Sequence, residues 1–179
     1  MNLWYYVEKG GPIMYFLLFL NIVGYALMIY KFIQFTMIKK RNAKHIFEDI
    51  IASIKSRNVP LEDEHVILEL IKDEVNSAMF KIEKGLNTIR IISTISPLLG
   101  LLGTVLGILS AFTAISKQGL SDPSLFAGGI SLALITTVGG LIVAIPHNIG
   151  YNYLNRMVDA IEIILEQAVF PTMFKVKDN

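Results

Sequence analysis

The sequence predicts an all-α integral membrane protein with three transmembrane helices, two of which extend into the cytoplasm. Hydrophobic residues make up 53% of its 179 residues and charged residues only 17%, whereas soluble domains carry about 25% charged residues. The missing charges are concentrated in three segments, since 10–30, 91–116 and 123–155 contain no Asp, Glu, Lys or Arg. Each segment is at least as long as the roughly 20 residues that a helix needs to cross a bilayer.

The first span and the residues before it are predicted to form a retained membrane anchor. Residues 1–12 are a short amphipathic start, in which Trp4 and the two tyrosines after it suit a membrane–water interface. Pro12 fits the first turn of a helix, and we expect the span itself over 13–35. Lys31 lies near the end of this span and is expected to snorkel toward the lipid headgroups. No basic leader precedes the apolar run, which distinguishes it from a signal peptide.

The charges outside the spans predict the orientation. The segment 36–90 holds ten lysines and arginines, whereas the connection 117–125 holds one lysine and one aspartate. Because basic residues are enriched on the cytoplasmic side of a membrane, we expect 36–90 in the cytoplasm and the N-terminus and 117–125 on the opposite side. The second and third spans then cover 91–116 and 126–152, and the residues that follow form a cytoplasmic C-terminal helix over 153–179.

The cytoplasmic segments are predicted to be helical extensions of the spans. Pro60 breaks the chain and acidic residues follow it, which favours a helix start at that point. Apolar residues then recur at helical spacing as far as Ile89, so we expect one long helix that continues into the second span and is kinked by Pro97. After the third span an apolar stripe continues toward Pro171, where we expect the helix to end. This stripe needs a partner surface, either a neighbouring subunit or the helix after Pro60.

Composition and motifs exclude several functional classes. A net charge of +1 gives no basic surface for nucleic acid, and the absence of cysteine removes disulfides, thiolate zinc ligands and thiol catalysis. The glycine-rich run Gly100–Gly107 lacks the Gly-Lys-Ser/Thr ending of a phosphate-binding loop. The sequence contains no recognisable catalytic set of side chains, and His45 and His65 have no ligand-like neighbours. We therefore predict no enzyme activity, no metal and no cofactor.

Small residues recur at helical spacing in the second and third spans. They are Gly100, Gly103, Gly107 and Ala111 in one span, and Gly129, Ala133, Gly140 and Ala144 in the other. Small residues let two helix backbones approach closely in a membrane. Packing alone accounts less well for Thr104, Thr136 and Thr137, which lie deep in the same spans. A threonine hydroxyl there either bonds a carbonyl of its own helix or faces a wet lumen and passes a proton, and the sequence leaves both interpretations open.

Several of these motifs, in their order along the chain, resemble the ExbB/TolQ/MotA proton-channel family, and most closely ExbB and TolQ. They are Pro97, the run Gly100–Gly107, the Ala127–Ser131 segment after Asp122-Pro123, and Ala144-Ile145-Pro146 with the Tyr-Asn-Tyr that follows it. The resemblance is strong from about Arg90 to Tyr153. Before Arg90 it rests on the arrangement of one span, a cytoplasmic stretch and two further spans.

The resemblance implies an assembly and an activity. Members form a homo-pentamer of long helices in the bacterial inner membrane, and the second and third spans surround a central pore. Two copies of a single-span partner, ExbD or TolR, sit in this pore and carry an essential membrane aspartate. Protons that enter from the periplasm load and leave the aspartate, and the resulting motion energises TonB, for import across the outer membrane, or TolA. Protons are then the transported ion, and no cofactor is implied.

The resemblance also assigns roles to single residues. Thr104 and Thr137 match the pore threonines of the second and third spans, and Thr136 lies beside them. Pro97 and Pro146 match prolines near the cytoplasmic ends of the two spans. The glycines of both spans keep the helices tightly packed, which limits proton leak.

Leu132 departs from the ExbB and TolQ pattern, which has a glutamate at this position. This subunit therefore supplies no carboxylate within the membrane, and the partner's aspartate is expected to carry the proton. MotA-type members also lack the glutamate, so its absence is compatible with conduction. His147 follows Pro146 where the family usually has a small residue. It is either a proton exit toward the cytoplasm or an interfacial histidine that bonds a carbonyl or a headgroup.

We therefore expect a proton-channel subunit that, with an ExbD/TolR-like partner, uses the proton motive force to energise TonB or TolA. Two alternatives stay open. One is a non-conducting membrane scaffold or divergent paralogue, which Leu132 favours. The other is a MotA-like flagellar stator subunit, although such proteins have a fourth span and a larger cytoplasmic domain for which this chain has no room.

Overall fold

The computed structural model describes residues 3–40, 64–119 and 123–175. Within these residues the chain forms five α-helices: α1 (Leu3–Lys9), α2 (Gly11–Lys40), α3 (Glu64–Glu83), α4 (Leu86–Gln118) and α5 (Ser124–Lys175). Three of them contain a stretch long and apolar enough to cross a membrane, at Gly11–Lys39, Leu86–Lys117 and Phe126–Gln167. These stretches include the three predicted spans and agree with an all-helical membrane protein. The predicted helix start at Pro60 lies outside the described residues.

The chain divides into two compact units. The first unit combines Met1–Met28 with Thr88–Tyr151, and the second combines Ile29–Asn87 with Asn152–Asn179. The residues that the sequence singles out for function belong to the first unit.

In the first unit, α2, α4 and α5 pack around a small apolar core. Each helix contributes one buried residue to it, namely Leu17, Ile92 and Val143. A sharp turn joins α1 to α2, and Gly11 adopts a φ of 64° there, which glycine accepts without steric cost. Pro12 follows in the first turn of α2, where its missing N–H removes no bond of the helix.

The second unit buries the apolar stripe that the sequence places after the third span. Ile161 and Leu165 of the predicted stripe are buried. Other buried residues of the same unit are Leu154 and Val158 on α5 and Ile71, Val75, Met79 and Ile82 on α3. Both sets belong to one unit of a single chain. Residues of this chain therefore cover the buried part of the stripe, and the covering of its remaining part stays a prediction.

The predicted uninterrupted helix from the cytoplasmic segment into the second span is wrong. α3 ends at Glu83 and α4 begins at Leu86. Between them Gly85 has a φ of 98°, in the left-handed region that commonly ends a helix at glycine. The Lys84 N–H still donates to the Phe80 carbonyl at 3.1 Å, so the break is confined to a two-residue turn.

The prediction that Lys31 snorkels toward the headgroups is also wrong, because its side chain is buried within the second unit. Its ammonium donates to the Ile82 carbonyl at 3.0 Å and to Gln34 Oε1 at 2.8 Å. The ring of Phe35 lies 5.5 Å from Nζ. A carbonyl at the end of α3 has no partner in its own helix, and the lysine satisfies this one, which compensates for drawing the charge away from water.

The predicted helix end at Pro171 is wrong as well, since α5 continues to Lys175. A proline deletes only its own backbone hydrogen bond and perturbs one turn. In a helix of 52 residues the remaining bonds hold the backbone on both sides. Pro97 and Pro146 likewise lie inside α4 and α5 without interrupting either helix.

Candidate functional site

The backbones of α4 and α5 touch along the glycines of the two spans. A Cβ added to Gly107 would lie 2.6 Å from the Gly129 carbonyl oxygen, and one added to Gly129 would lie 2.5 Å from that of Gly107. About three turns further along α5, a Cβ on Gly140 would lie 2.5 Å from the Ser96 carbonyl oxygen. Any side chain at these positions would push the helices apart. The structure thus places the predicted packing glycines at the contact.

Thr104 and Thr137 face each other across this contact. Their Oγ1 atoms lie 2.5 Å apart, and either hydroxyl can be the donor. Both also approach the same two carbonyls, since Thr104 Oγ1 lies 3.2 Å from Gly100 O and 3.3 Å from Ala133 O. Thr137 Oγ1 lies 3.1 Å from Ala133 O and 3.4 Å from Gly100 O. Two hydroxyls and two carbonyls, one of each from each helix, therefore form a compact polar cluster, and both threonines are partly exposed.

This cluster has two equivalent hydrogen-bonding arrangements. A hydroxyl donates one hydrogen bond and accepts others. If Thr104 donates to Thr137, the Thr137 hydroxyl is left to donate to Ala133 O in its own helix. In the reverse arrangement Thr137 donates to Thr104, which donates to Gly100 O. The pair can therefore change polarity by rotation of two hydroxyls, without movement of the backbone.

Thr136 is not brought together with this pair. Its side chain is fully buried against Gly103, and its hydroxyl donates to the Leu132 and Ala133 carbonyls of its own helix at 3.0 Å. Successive helical residues point about 100° apart, so Thr136 and Thr137 face different sides of α5. The structure assigns Thr136 to helix packing. Leu132, at the family's glutamate position, is partly exposed.

His147 lies on another side of α5, against α2. Its side chain is fully buried, Nδ1 lies 2.6 Å from the Val143 carbonyl oxygen, and the ring centroid lies 4.9 Å from that of Tyr25. A Cβ on Gly24 would collide with the imidazole. The carbonyl bond agrees with one of the two interpretations from sequence, and the ring is buried between α5 and α2.

Sequence reasoning missed Gly24 and Asn21 on α2. Gly24 is the one glycine in a span otherwise rich in large residues, and an interior glycine weakens a helix, so it signals a close approach by another group. Asn21 is a polar residue between apolar neighbours in the same span. Its Oδ1 is buried and lacks a hydrogen-bond partner among the described residues.

The site has no metal-binding character in the described part of the chain. Among residues 3–40, 64–119 and 123–175, no three His, Asp or Glu side chains are grouped so that they could hold an ion. The chemistry available to the α4–α5 contact is therefore that of hydroxyls and backbone carbonyls.

Comparison with known proteins gives the family. Residues 38–167 match the MotA/TolQ/ExbB proton channel family. A biopolymer transport protein ExbB of Neisseria meningitidis is 26% identical over an alignment of 195 positions. The alignment covers 87% of this chain and 88% of that protein. ExbB of Aquifex aeolicus is 45% identical over 78 residues, 44% of this chain and 53% of the relative. The Tol-Pal system protein TolQ of Haemophilus influenzae is 39% identical over 88 residues, 49% of this chain and 39% of the relative. Because the family match spans well over half of the sequence, the chain is a membrane protein that belongs to the MotA/TolQ/ExbB proton channel family.

Proposed function

We propose that this chain is a proton-channel subunit of an inner-membrane motor, and that Thr104 and Thr137 form part of the proton path. The hydroxyl cluster between α4 and α5 carries the proposal. Its hydroxyls are partly exposed, although both lie in spans without any charged residue. Polar groups in a membrane span usually face a protein interior or a water-filled cavity. A pair that reverses its polarity by hydroxyl rotation can accept a proton on one side and release one on the other.

The carboxylate that binds the proton has to come from another protein. The spans 91–116 and 126–152 contain no Asp or Glu, and a neutral hydroxyl does not bind an additional proton near neutral pH. The family relationship supplies such a partner, a single-span protein of the ExbD or TolR type with an aspartate in its membrane helix. In this proposal the threonine pair orients the proton or water next to that aspartate while the partner moves.

The proposal extends to assembly and location. Five copies of this chain surround two copies of the partner in the bacterial inner membrane, with the N-terminus in the periplasm and the C-terminus in the cytoplasm. One proton that crosses 100 mV releases about 2.3 kcal/mol, which drives the partner. The motion energises TonB or TolA, and the choice between these two clients is open. A proton exit at His147 stays a separate prediction, because its imidazole packs against α2 and not at the threonine pair.

Paired valine substitutions test the path. Valine keeps the volume of threonine and removes its hydroxyl, so T104V/T137V preserves packing. We expect the double variant to reduce partner-dependent proton flux in proteoliposomes about a hundredfold or more, the lower end of what a positioned proton-transfer group contributes. T136V is the matched control, because its hydroxyl bonds only carbonyls of its own helix, and it should retain flux. Equal flux in both variants would contradict a hydroxyl path.

The competing function is a scaffold that holds a partner without conducting protons. Leu132 favours it, because the family's glutamate is replaced by an apolar side chain. Native mass spectrometry of the chain co-expressed with an ExbD- or TolR-like protein separates the assembly from the conduction question. Five copies with two partners and no flux would support the scaffold. A monomer or dimer that retains no partner would contradict both functions.

A further inference from the structure

Two hydrogen-bond acceptors are buried between α2 and α5 in the first unit, away from the threonine pair. Nδ1 of His147 contacts a carbonyl oxygen, and a carbonyl can only accept, so Nδ1 carries the proton of the neutral imidazole and Nε2 is an acceptor. Nε2 and Asn21 Oδ1 are both buried, and no donor of residues 3–40, 64–119 or 123–175 lies within hydrogen-bonding distance of either. The imidazole is fully buried.

The helix register brings these acceptors close together. α2 and α5 run in the same direction, because residues in increasing order along α2 contact residues in increasing order along α5. The contacting pairs are Met14 with Gly139, Gly24 with His147, and Met28 with Gly150. Asn21 lies one turn before Gly24 on α2, and side chains three residues apart on a helix have Cβ atoms about 5–6 Å apart. Asn21 therefore lies on the side of α2 that the imidazole contacts, about one helical turn from it.

A groove at the surface of the first unit includes Asn21 in its lining. It has a volume of about 470 Å³, and its walls are residues of α1, α2 and α5 that are almost all apolar. Asn21 and Val143 are its lining residues nearest to His147 along their helices. The groove thus gives a small polar molecule access to Asn21, and Tyr6 is the one other lining residue whose side chain can form a hydrogen bond.

We propose that one water molecule binds between Asn21 and His147 and donates a hydrogen bond to each. Lipid tails cannot donate, and a buried acceptor without a donor costs free energy on the scale of a lost hydrogen bond or more. A buried water is stable where it has at least two polar partners and sufficient space. The two acceptors provide the partners, and water is the smallest ligand that provides two donors. This hydration site links the first span to the third and does not depend on the proposed proton path.

A double-mutant cycle tests whether the two residues share one ligand. The variants N21L, H147F and N21L/H147F are made in the full chain, and equilibrium unfolding is followed in mixed micelles. Either single change releases the water and leaves the other acceptor unsatisfied, so each should raise the unfolded-to-folded ratio about fivefold to tenfold. In the double variant no acceptor is left, and the ratio should rise no more than in the worse single variant. Independent, multiplicative effects would overturn the proposal.

A control pair and a direct observation complete the test. N21L combined with T113V should be multiplicative, because the Thr113 hydroxyl bonds only Leu109 O in α4. Cryo-electron microscopy of the wild-type assembly, at a resolution that shows ordered water, should reveal density within hydrogen-bonding distance of both acceptors. A rotated Asn21 amide that donates directly to Nε2, or no density between the residues, would contradict the water site even if the variants failed to fold.

Discussion

Helix α5 meets its two neighbours in the first unit through different kinds of contact. Toward α4, glycines on both helices face backbone atoms, as Gly107 and Gly129 do with each other's carbonyls. Toward α2, the space beside each glycine is occupied by a side chain of the other helix. Met14 occupies the space at Gly139, and the imidazole of His147 that at Gly24. The α4–α5 contact is thus between two backbones, whereas in the α2–α5 contact a side chain of one helix packs against a glycine of the other.

The difference determines where hydroxyl chemistry is possible. Threonine side chains are short, so Thr104 and Thr137 reach each other only because glycines bring the two backbones into contact around them. At the α2 side, longer side chains span the distance between the helices. Packing there depends on rotamers that can change, whereas the α4 contact has little freedom to adjust. A tight contact of this kind suits the part of a channel that has to exclude leak.

Gly129→Ala should produce the largest loss of stability among the glycine changes. Its new methyl would lie 2.5 Å from the Gly107 carbonyl oxygen and 2.9 Å from the Ala111 nitrogen, and backbone atoms cannot rotate away. We expect a loss at the upper end of the about 1–3 kcal/mol found for overpacked cores, measured as the free energy of unfolding in micelles. The separated helices should also weaken the Thr104–Thr137 contact and reduce partner-dependent proton flux.

Gly128→Ala is the adjacent control. No atom lies within 4 Å of its added methyl, and alanine favours a helix over glycine by about 0.8–1 kcal/mol in water. Stability should therefore stay equal or rise. If G128A and G129A lowered it equally, the loss would come from the backbone conformation and not from the contact with α4.

The three spans, their small-residue faces and the threonines could be predicted from sequence because each rests on local information. The length of an uncharged run shows directly whether the run can cross a bilayer, and helical spacing places Gly103 and Gly107 on one face. The proximity of Thr104 to Thr137 came from family resemblance, since spacing alone left the orientation of each hydroxyl open. The role of Thr136 followed from neither and required the structure.

The features that sequence analysis missed depend on partners far along the chain. Lys31 is buried because the Ile82 carbonyl, 51 positions away, meets its ammonium, and no local pattern encodes that pairing. Gly85 lies in a stretch with helical spacing, and its neighbours in sequence do not distinguish a tolerated glycine from a helix break. The packing of His147 against Gly24 likewise joins residues far apart in the sequence, and no local pattern predicts it.

Gly24→Ala should have an intermediate effect, because its methyl collides with an aromatic ring and not with backbone. The imidazole can tilt only by disturbing its bond to Val143 O or its contact with Tyr25. We expect a loss of about 1–2 kcal/mol in the free energy of unfolding, within the range for overpacking.

The combination G24A/H147A tests whether the collision with the imidazole causes this loss. Truncation of the imidazole makes room for the methyl, so the double variant should be more stable than the sum of the single losses predicts. Strict additivity would show that Gly24 serves some purpose other than housing the ring.

Gly139→Ala should have the smallest effect of the three, although its methyl would lie 2.5 Å from Met14 Sδ. A methionine side chain has three rotatable bonds and adapts to irregular space, and Met14 lines the groove into which its sulfur can move. The cost of that movement is offset in part by the higher helix propensity of alanine, so we expect a change in the free energy of unfolding of less than about 1 kcal/mol. Replacing Met14 with the stiff, β-branched isoleucine in the G139A background removes this adaptability and should restore a larger loss. A loss as large as that of G129A in the single variant would mean that the α2 contact is as rigid as the α4 contact, and the distinction between the two faces of α5 would fail.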